Sequence, residues 1–368
     1  YPKVNGGIVV IDVHTGDVKA LVGGFNFKSS EFNRVTQAKR QPGSAFKPIV
    51  YAAALENGYS PNSIVLDAPF VESQGVGLKD WKPENYGKKF YGPSTLRTGV
   101  EKSRNLMTVR IAQNIGIKKI AKFATELNIY KNPEELLSLS LGSSETTLLR
   151  LTSAYCSFVN GGKLINPKFI DRIQDSEGNT IFNSENRRCD GCDQISYLND
   201  KIPKIKNNFK QIISKETAYQ MTSILEGTVK RGTAKGLKDL NLDLAGKTGT
   251  TNKNTDTWFV GFSSNYVVGV YVGYDEPSSL GKYETGSRTA MPIFKNFVKN
   301  AIKKNSARPF KIPEGIKMLV VNSKTGKRAS YSDESIIIEA FKEKNLINNK
   351  IQYGNIDYIS KENIYKFY

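Results

Sequence analysis

The chain has 368 residues, 39% of them hydrophobic and 24% charged, a balance that buries a core and excludes a disordered polymer. Lys and Arg number 53 against 35 Asp and Glu, a net charge of +18, which suits an anionic partner or a surface simply covered in lysine. One histidine, His14, and three cysteines argue against zinc chemistry of the usual kind and leave any Ser-His-Asp triad dependent on one turn residue.

In chain order, Gly7–Val13 and Val18–Gly24 are β-rich runs around the turn at His14–Asp17, a hairpin by pattern. The run from Ser44 to Gly58 predicts a helix with a Gly cap, Pro48 being tolerated only because it lies in the first turn. Ser44 therefore sits at a helix N-terminus. Residues 60–165 read as mainly helical, with apolar periodicity over Leu106–Ile120 and Thr147–Val159, the latter holding Cys156. Residues 171–211 are polar and patternless, a surface excursion carrying Cys189-Asp-Gly-Cys192, which is a metal half-site, a redox pair or a tight disulfide. A helix over Lys215–Thr228 precedes three strand-like segments at Lys247–Thr250, Trp258–Phe262 and Tyr266–Tyr274, and a helix over Arg288–Ile302. Strands at both ends with helices between them predict an α+β fold, one antiparallel sheet closed by distant segments. The expected division is a main domain over 1–304 and a basic C-terminal extension over 305–368.

No run approaches the roughly 20 apolar residues of a membrane span, and the start at Tyr1 without Met or a signal-like run reads as an excised piece or a mature chain. Nor does a zinc-finger, RNP or basic-heptad pattern accompany the charge, so no nucleic-acid partner is expected.

A serine hydroxyl needs a base to become a nucleophile, and a chain nearly without histidine must find that base in Lys, Asp, Glu or Tyr. Ser44-Ala-Phe-Lys47 supplies one, because residues three apart on a helix share a face. The helix N-terminus and a second cation favour the neutral amine of Lys47. S-x-x-K, S-x-N and K-T-G together mark serine β-lactamases and penicillin-binding proteins. Here they fall at Ser44–Lys47, Ser103-Arg104-Asn105 and Lys247-Thr248-Gly249. Each recurs: S-x-x-K at Ser279–Lys282, S-x-N at Ser60, Ser184 and Ser263, K-T-G at Lys324–Gly326. Context separates the copies. Ser279 and Lys282 flank Gly281 in a loop; Lys324–Gly326 follows a strand as a hairpin turn, much as His14–Gly16 does; Lys247 opens a β-patterned run behind the small residues Ala245 and Gly246.

Over roughly residues 7–300 the chain resembles the transpeptidase domain of class A penicillin-binding proteins, of the 1A type found in Gram-negative bacteria. The resemblance rests on Arg40-Gln-Pro-Gly-Ser-Ala-Phe-Lys-Pro48, Trp81-Lys-Pro-Glu-Asn85, Leu96–Asn105, Gly246-Lys-Thr-Gly-Thr-Thr251 and Asp256-Thr-Trp-Phe-Val-Gly-Phe262. It implies an antiparallel sheet flanked by helices with a largely helical subdomain, and a D,D-transpeptidase that cross-links D-Ala-D-Ala stem peptides and is inhibited by β-lactams. Ser44 would be the acylated nucleophile, Lys47 its base and Ser103 the bridge returning the proton to the leaving D-alanine. Asn105 would orient the peptide, and Lys247 would keep the site's proton network positive. Thr248, Gly249 and Thr250 would meet the substrate, the two hydroxyls receiving its carboxylate, and the backbone N–H groups of Ser44 and Thr250 would form the oxyanion hole. Trp81, with Tyr274 and Tyr283, would line the groove, although such aromatics more often pack. No cofactor or metal is implied. The resemblance further implies a membrane anchor and a glycosyltransferase domain before this segment, a location on the periplasmic face of the inner membrane, and cell-wall synthesis proteins as partners. In that oxidising compartment Cys189 and Cys192 would form a disulfide.

A class A β-lactamase needs a loop glutamate, and the nearest E-x-x-L, Glu145–Leu148, continues with Leu149 rather than Asn and opens an apolar helix. A D,D-carboxypeptidase differs only in its acceptor. A β-lactam sensor and a basic envelope-binding module are the readings from outside enzymology.

Overall fold

Along Val9, Val10 and Ile11 successive side chains point to opposite faces of a strand, and both faces are buried here. The computed structural model describes residues 2–75, 77–184, 188–190, 204–206, 209–302 and 308–347. It begins with β1 (Val4–Asp12) and β2 (Val18–Val22), then a 3-10 turn at Gly43–Phe46 leading into α1 (Lys47–Glu56). The helical region follows as β3 (Ile64–Asp67), β4 (Gly92–Thr95), α2 (Leu96–Glu101), α3 (Asn105–Ile115), α4 (Ile117–Glu126) and α5 (Leu148–Val159). The excursion contributes β5 (Arg172–Gln174), β6 (Thr180–Asn183), β7 (Arg188–Asp190) and β8 (Lys204–Lys206). Then come α6 (Lys215–Lys230), β9 (Ala245–Thr250), β10 (Asp256–Phe262), β11 (Tyr266–Tyr274), α7 (Ala290–Ala301), β12 (Ile316–Asn322), β13 (Ile336–Lys342) and α8 (Glu343–Ile347).

Five strands form one antiparallel sheet in the order β2-β1-β11-β10-β9, so the first strand pairs with one near the far end of the domain, as expected. Val9, Ile11, Trp258, Val260, Phe262 and Tyr271 face the helical layer of α1, α5 and α6. Val10, Phe259, Val268 and Val270 face Phe294 and Val298 of α7. Each such large side chain contributes roughly 1.5–3 kcal/mol by leaving water. Helix α1 is buried from Lys47 to Leu55, which makes it the axis against which the site is built.

The periodicity over Leu106–Ile120 predicts one helix, but the chain breaks it at Gly116, whose φ of 89° only glycine adopts without strain. The apolar spacing continues across the break because α3 and α4 pack on the same core. Residues 308–347, within the expected 305–368 extension, dock on the rest of the chain. The β12–β13 hairpin sends Glu339 to Arg97, Lys342 to Leu55 O and Ala340 O to Gln220. Their pairing partners lie far back in the sequence, so nothing local signals the docking. The expected Cys189–Cys192 bond falls outside the described residues, which include only the backbone of the first. Among the described residues no helix is long and apolar enough to cross a membrane.

Candidate active site

Ser44 lies half-buried in the 3-10 turn that feeds α1, and Lys47 is the first residue of that helix, fully buried. The turn is pressed against the end of β9. A Cβ on Gly43, whose φ is 52°, would stand 2.7 Å from Thr250 O, and one on Gly249 would stand 2.5 Å from Pro42 O. Glycine at both positions therefore lets the nucleophile turn and the K-T-G strand touch backbone to backbone. Arg40 anchors the approach to the turn: its guanidinium donates to Tyr274 O at 2.7 Å and to Asp275 O, while its backbone pairs with Thr146.

Two buried lysines converge on one hydroxyl. Lys47 Nζ donates to Ser103 O at 2.7 Å and Asn105 Oδ1 at 2.6 Å, and lies 3.4 Å from Ser103 Oγ. From β9, Lys247 Nζ donates to Ser103 Oγ at 2.9 Å and to Thr248 O at 3.0 Å. Ser103 adopts a left-handed φ of 56°, uncommon for a residue with a side chain. The loop holds it there through Ser103 N to Val100 O and Arg104 N to Gly99 O. Burial lowers Lys47 well below the usual lysine range, with the charge of Lys247 as the next contribution. Burial alone lowers Lys247 to about 7. A neutral Lys47 has two N–H groups, which its two short contacts use, and a lone pair that accepts a proton.

Asn105 is engaged at both ends, accepting from Lys47 and donating through Nδ2 to Glu84 O at 2.6 Å. Behind it, Asn85 Oδ1 accepts from Asn105 N and Leu106 N, capping α3 from another segment, since Arg104 offers no cap. Asn85 Nδ2 donates at 2.7 Å to Asp67, a carboxylate with no exposed surface whose pKa burial pushes up. Trp81 pairs with Glu72 through its backbone and sets its ring edge-on to Phe70, against the cluster that Phe70 forms with Leu106 and Val109 of α3.

On β9 the threonines are wired to neighbours. Thr248 Oγ1 donates to Thr233 Oγ1 at 3.1 Å, leaving Thr233 to donate onward, and Thr250 Oγ1 accepts from Gly286 N at 3.0 Å, keeping its own O–H. Tyr283 is exposed beside Lys282 and Arg288, and Tyr274 joins the site through its carbonyl. The structure thus brings Ser44, Lys47, Ser103, Asn105 and Lys247–Thr250 together. Sequence reading gave no role to Asp67, Asn85 or Thr233. Asn85 carried a signal in its Trp-x-Pro-x-Asn context, whereas Asp67 and Thr233 had none. The duplicate motifs stand apart. Ser279 Oγ accepts from Gly281 N in an exposed loop, and Lys324 sits in a turn where Asn322 Oδ1 accepts from Lys324 N and Thr325 N. The His14 turn is built likewise on Asp12.

An antiparallel sheet and a helical layer, with the Ser-x-x-Lys, Ser-x-Asn and Lys-Thr-Gly motifs meeting at their junction, carry the motif set of penicillin-binding proteins and serine β-lactamases. The family model described as the penicillin binding protein transpeptidase domain matches residues 6–299, and the chain belongs to that family. Penicillin-binding protein 1A of Rickettsia conorii is 46% identical over 98% of this chain and 45% of its own length. Penicillin-binding protein 1A of Pseudomonas aeruginosa is 35% identical over 93% of this chain and 45% of its own. The chain thus spans about half the length of the curated relatives it matches. The crystal structure of penicillin-binding protein 1A from Haemophilus influenzae superposes with a TM-score of 0.81 at 32% identity, covering 93% of this chain and 53% of that one.

Proposed function

We propose that this domain is a serine D,D-transpeptidase that cross-links peptidoglycan stem peptides through an acyl-enzyme on Ser44. The observation that carries the reading is the convergence of Lys47 and Lys247 on the Ser103 hydroxyl beside the Ser44 turn. Ser44 Oγ attacks the carbonyl of the penultimate D-alanine as its proton passes to Lys47. Backbone N–H groups of Ser44 and Thr250 stabilise the oxyanion. Collapse breaks the peptide bond, and the proton returns through Ser103 to the departing D-alanine nitrogen. Lys247, held positive by the substrate carboxylate, supports that transfer, and Thr248, Thr250 and the backbone at Gly249 hold the carboxylate end. An acceptor amine then attacks the ester, releasing Ser44; water in its place gives the carboxypeptidase reaction. A β-lactam mimics the donor and acylates the same serine. Trp81, four residues before Asn85 in the chain, lines the substrate groove.

We take 1–304 as the catalytic unit and 305–368 as a basic C-terminal extension, within a longer, membrane-anchored protein that carries a glycosyltransferase domain and works on the periplasmic face of the inner membrane. In that compartment Cys189 and Cys192 are oxidised, which mass spectrometry without reduction checks. The central test is labelling with fluorescent penicillin followed by peptide mapping. Label should map to Ser44, vanish in Ser44→Ala with thermal unfolding nearly unchanged, and persist in Ser279→Ala. Label that survives loss of Ser44 would refute the assignment.

A further inference from the structure

The β12–β13 hairpin is joined to the site by a chain of charges, of which Glu339, Arg97 and Glu101 are buried. Glu339, 1% exposed, receives Arg97 Nε and Nη2 at 2.5 Å each. Arg97, also buried, donates to Ser223 O and Oγ on α6 at 2.9 Å each, and to Glu101 Oε1 at 3.3 Å. Glu101 accepts Arg231 Nη2 at 2.5 Å and Nε at 3.2 Å, and its carbonyl accepts from Thr233 N at 3.1 Å. Lys102 Nζ closes the knot on Arg231 O at 2.7 Å.

Two loops leave this knot, and both end in the site. One runs from Glu101 to Ser103, whose left-handed backbone places its hydroxyl between the two lysines. The other runs from Arg231 to Thr233, whose hydroxyl meets Thr248. The guanidinium of Arg97 is fixed on one side by Glu339 and on the other by Glu101. Without the first carboxylate the whole charge of Arg97 falls on the second, which already serves Arg231 as well. A buried ion pair is a weak source of net stability, but it fixes direction, and proton transfer is sensitive to misplacements of about 1 Å.

We propose that the C-terminal hairpin is a positioning element of the acyl-transfer site, with Glu339 acting through Arg97 and Glu101 on Ser103 and Thr233. The proposal rests on the acyl-transfer reading above and gives a role to a segment outside the three motifs.

The test measures acylation of the full chain by fluorescent penicillin, with the covalent step resolved kinetically from non-covalent binding, together with thermal unfolding and final labelling stoichiometry. Glu339→Gln keeps the side chain's shape and removes its charge. It should slow the acylation step about 10- to 100-fold with binding little changed and every chain eventually labelled. The apolar pair Arg97→Met with Glu339→Leu, which removes both partners of that ion pair and leaves Glu101 with Arg231, should melt cooperatively and still acylate slowly. Lys342→Met, which loosens the hairpin at Leu55 without touching Arg97, should acylate at the wild-type rate. Wild-type rates in Glu339→Gln or in the apolar pair would overturn the proposal. So would equal slowing by Lys342→Met, or loss of cooperative melting in both Glu339 variants, since either assigns the hairpin to stability alone. Failure of the acyl-transfer reading itself would appear separately, as label mapping away from Ser44 in the wild type.

Discussion

Lys247 Nζ donates to Ser103 Oγ across 2.9 Å while burial holds its pKa at about 7. That pairing has a consequence for stability. Below pH 7 both folded and unfolded chains carry the proton, and the folded chain keeps a buried ammonium. Between about 7 and 10 the unfolded lysine stays protonated while the folded one does not, so the unfolded state binds more protons and stability rises with pH. Urea unfolding at pH 7.5 and 9.5 should give a slope steeper in the wild type than in Lys247→Met by about 1 kcal/mol per pH unit. Identical slopes would mean that Lys247 titrates normally.

The two K-T-G copies separate by mutation as they do by position. Lys247→Ala should lower the second-order acylation rate by about 100-fold or more, the size of a charge-assisted contact to a carboxylate. Lys324→Ala, in the turn after β12, should leave it unchanged. Equal losses would contradict the site described above.

Asn85 caps α3 from a distant loop, and its amide orientation is fixed by Asp67 on the other side. Asn85→Ala should lower stability by about 1–2 kcal/mol, the range for a lost cap, and slow acylation because Asn105 and Lys47 lose their support. Asn85→Asp retains the capping oxygen but sets a second carboxylate against Asp67. It should be less stable than Asn85→Ala at pH 8 and recover relative to it on acidification, read by chemical denaturation. No recovery would show that Asp67 does not face position 85 as a carboxylate.

These residues also mark where the sequence stopped being informative. Ser44 and Lys47 were legible because a helix repeat puts them on one face, and Lys247 because its strand context differs from that of Lys324. The sheet was legible from its alternation and from the clustering of strands at the two ends. What stayed hidden depends on long-range pairing: Asn85 reaching Asn105, Arg97 reaching Glu339 across much of the chain, and Thr233 meeting Thr248. Gly116 was a helix stop in plain view, masked by apolar spacing that continued past it.

The penicilloyl-enzyme should be long-lived, because release needs water activated by a base and the bases here are otherwise engaged. Ring-opened penicillin stays attached and blocks an acceptor amine, so only hydrolysis can free Ser44. Lys47 has passed the serine proton onward through Ser103, and its amine is enclosed by Ser103 and Asn105. Among the carboxylates, Asp67 lies behind Asn85, Glu101 is held by Arg97 and Arg231, and Glu145 is exposed on the loop before α5, where it rims a cavity with Lys39 and Arg150. None is placed as the loop glutamate of a class A β-lactamase would be. Absence of a positioned general base typically costs 10²–10⁴ in rate, so label chased with excess unlabelled drug should persist for many minutes. Complete release within seconds would reveal an activated water at this site and would move the chain's chemistry from acyl transfer to β-lactam hydrolysis.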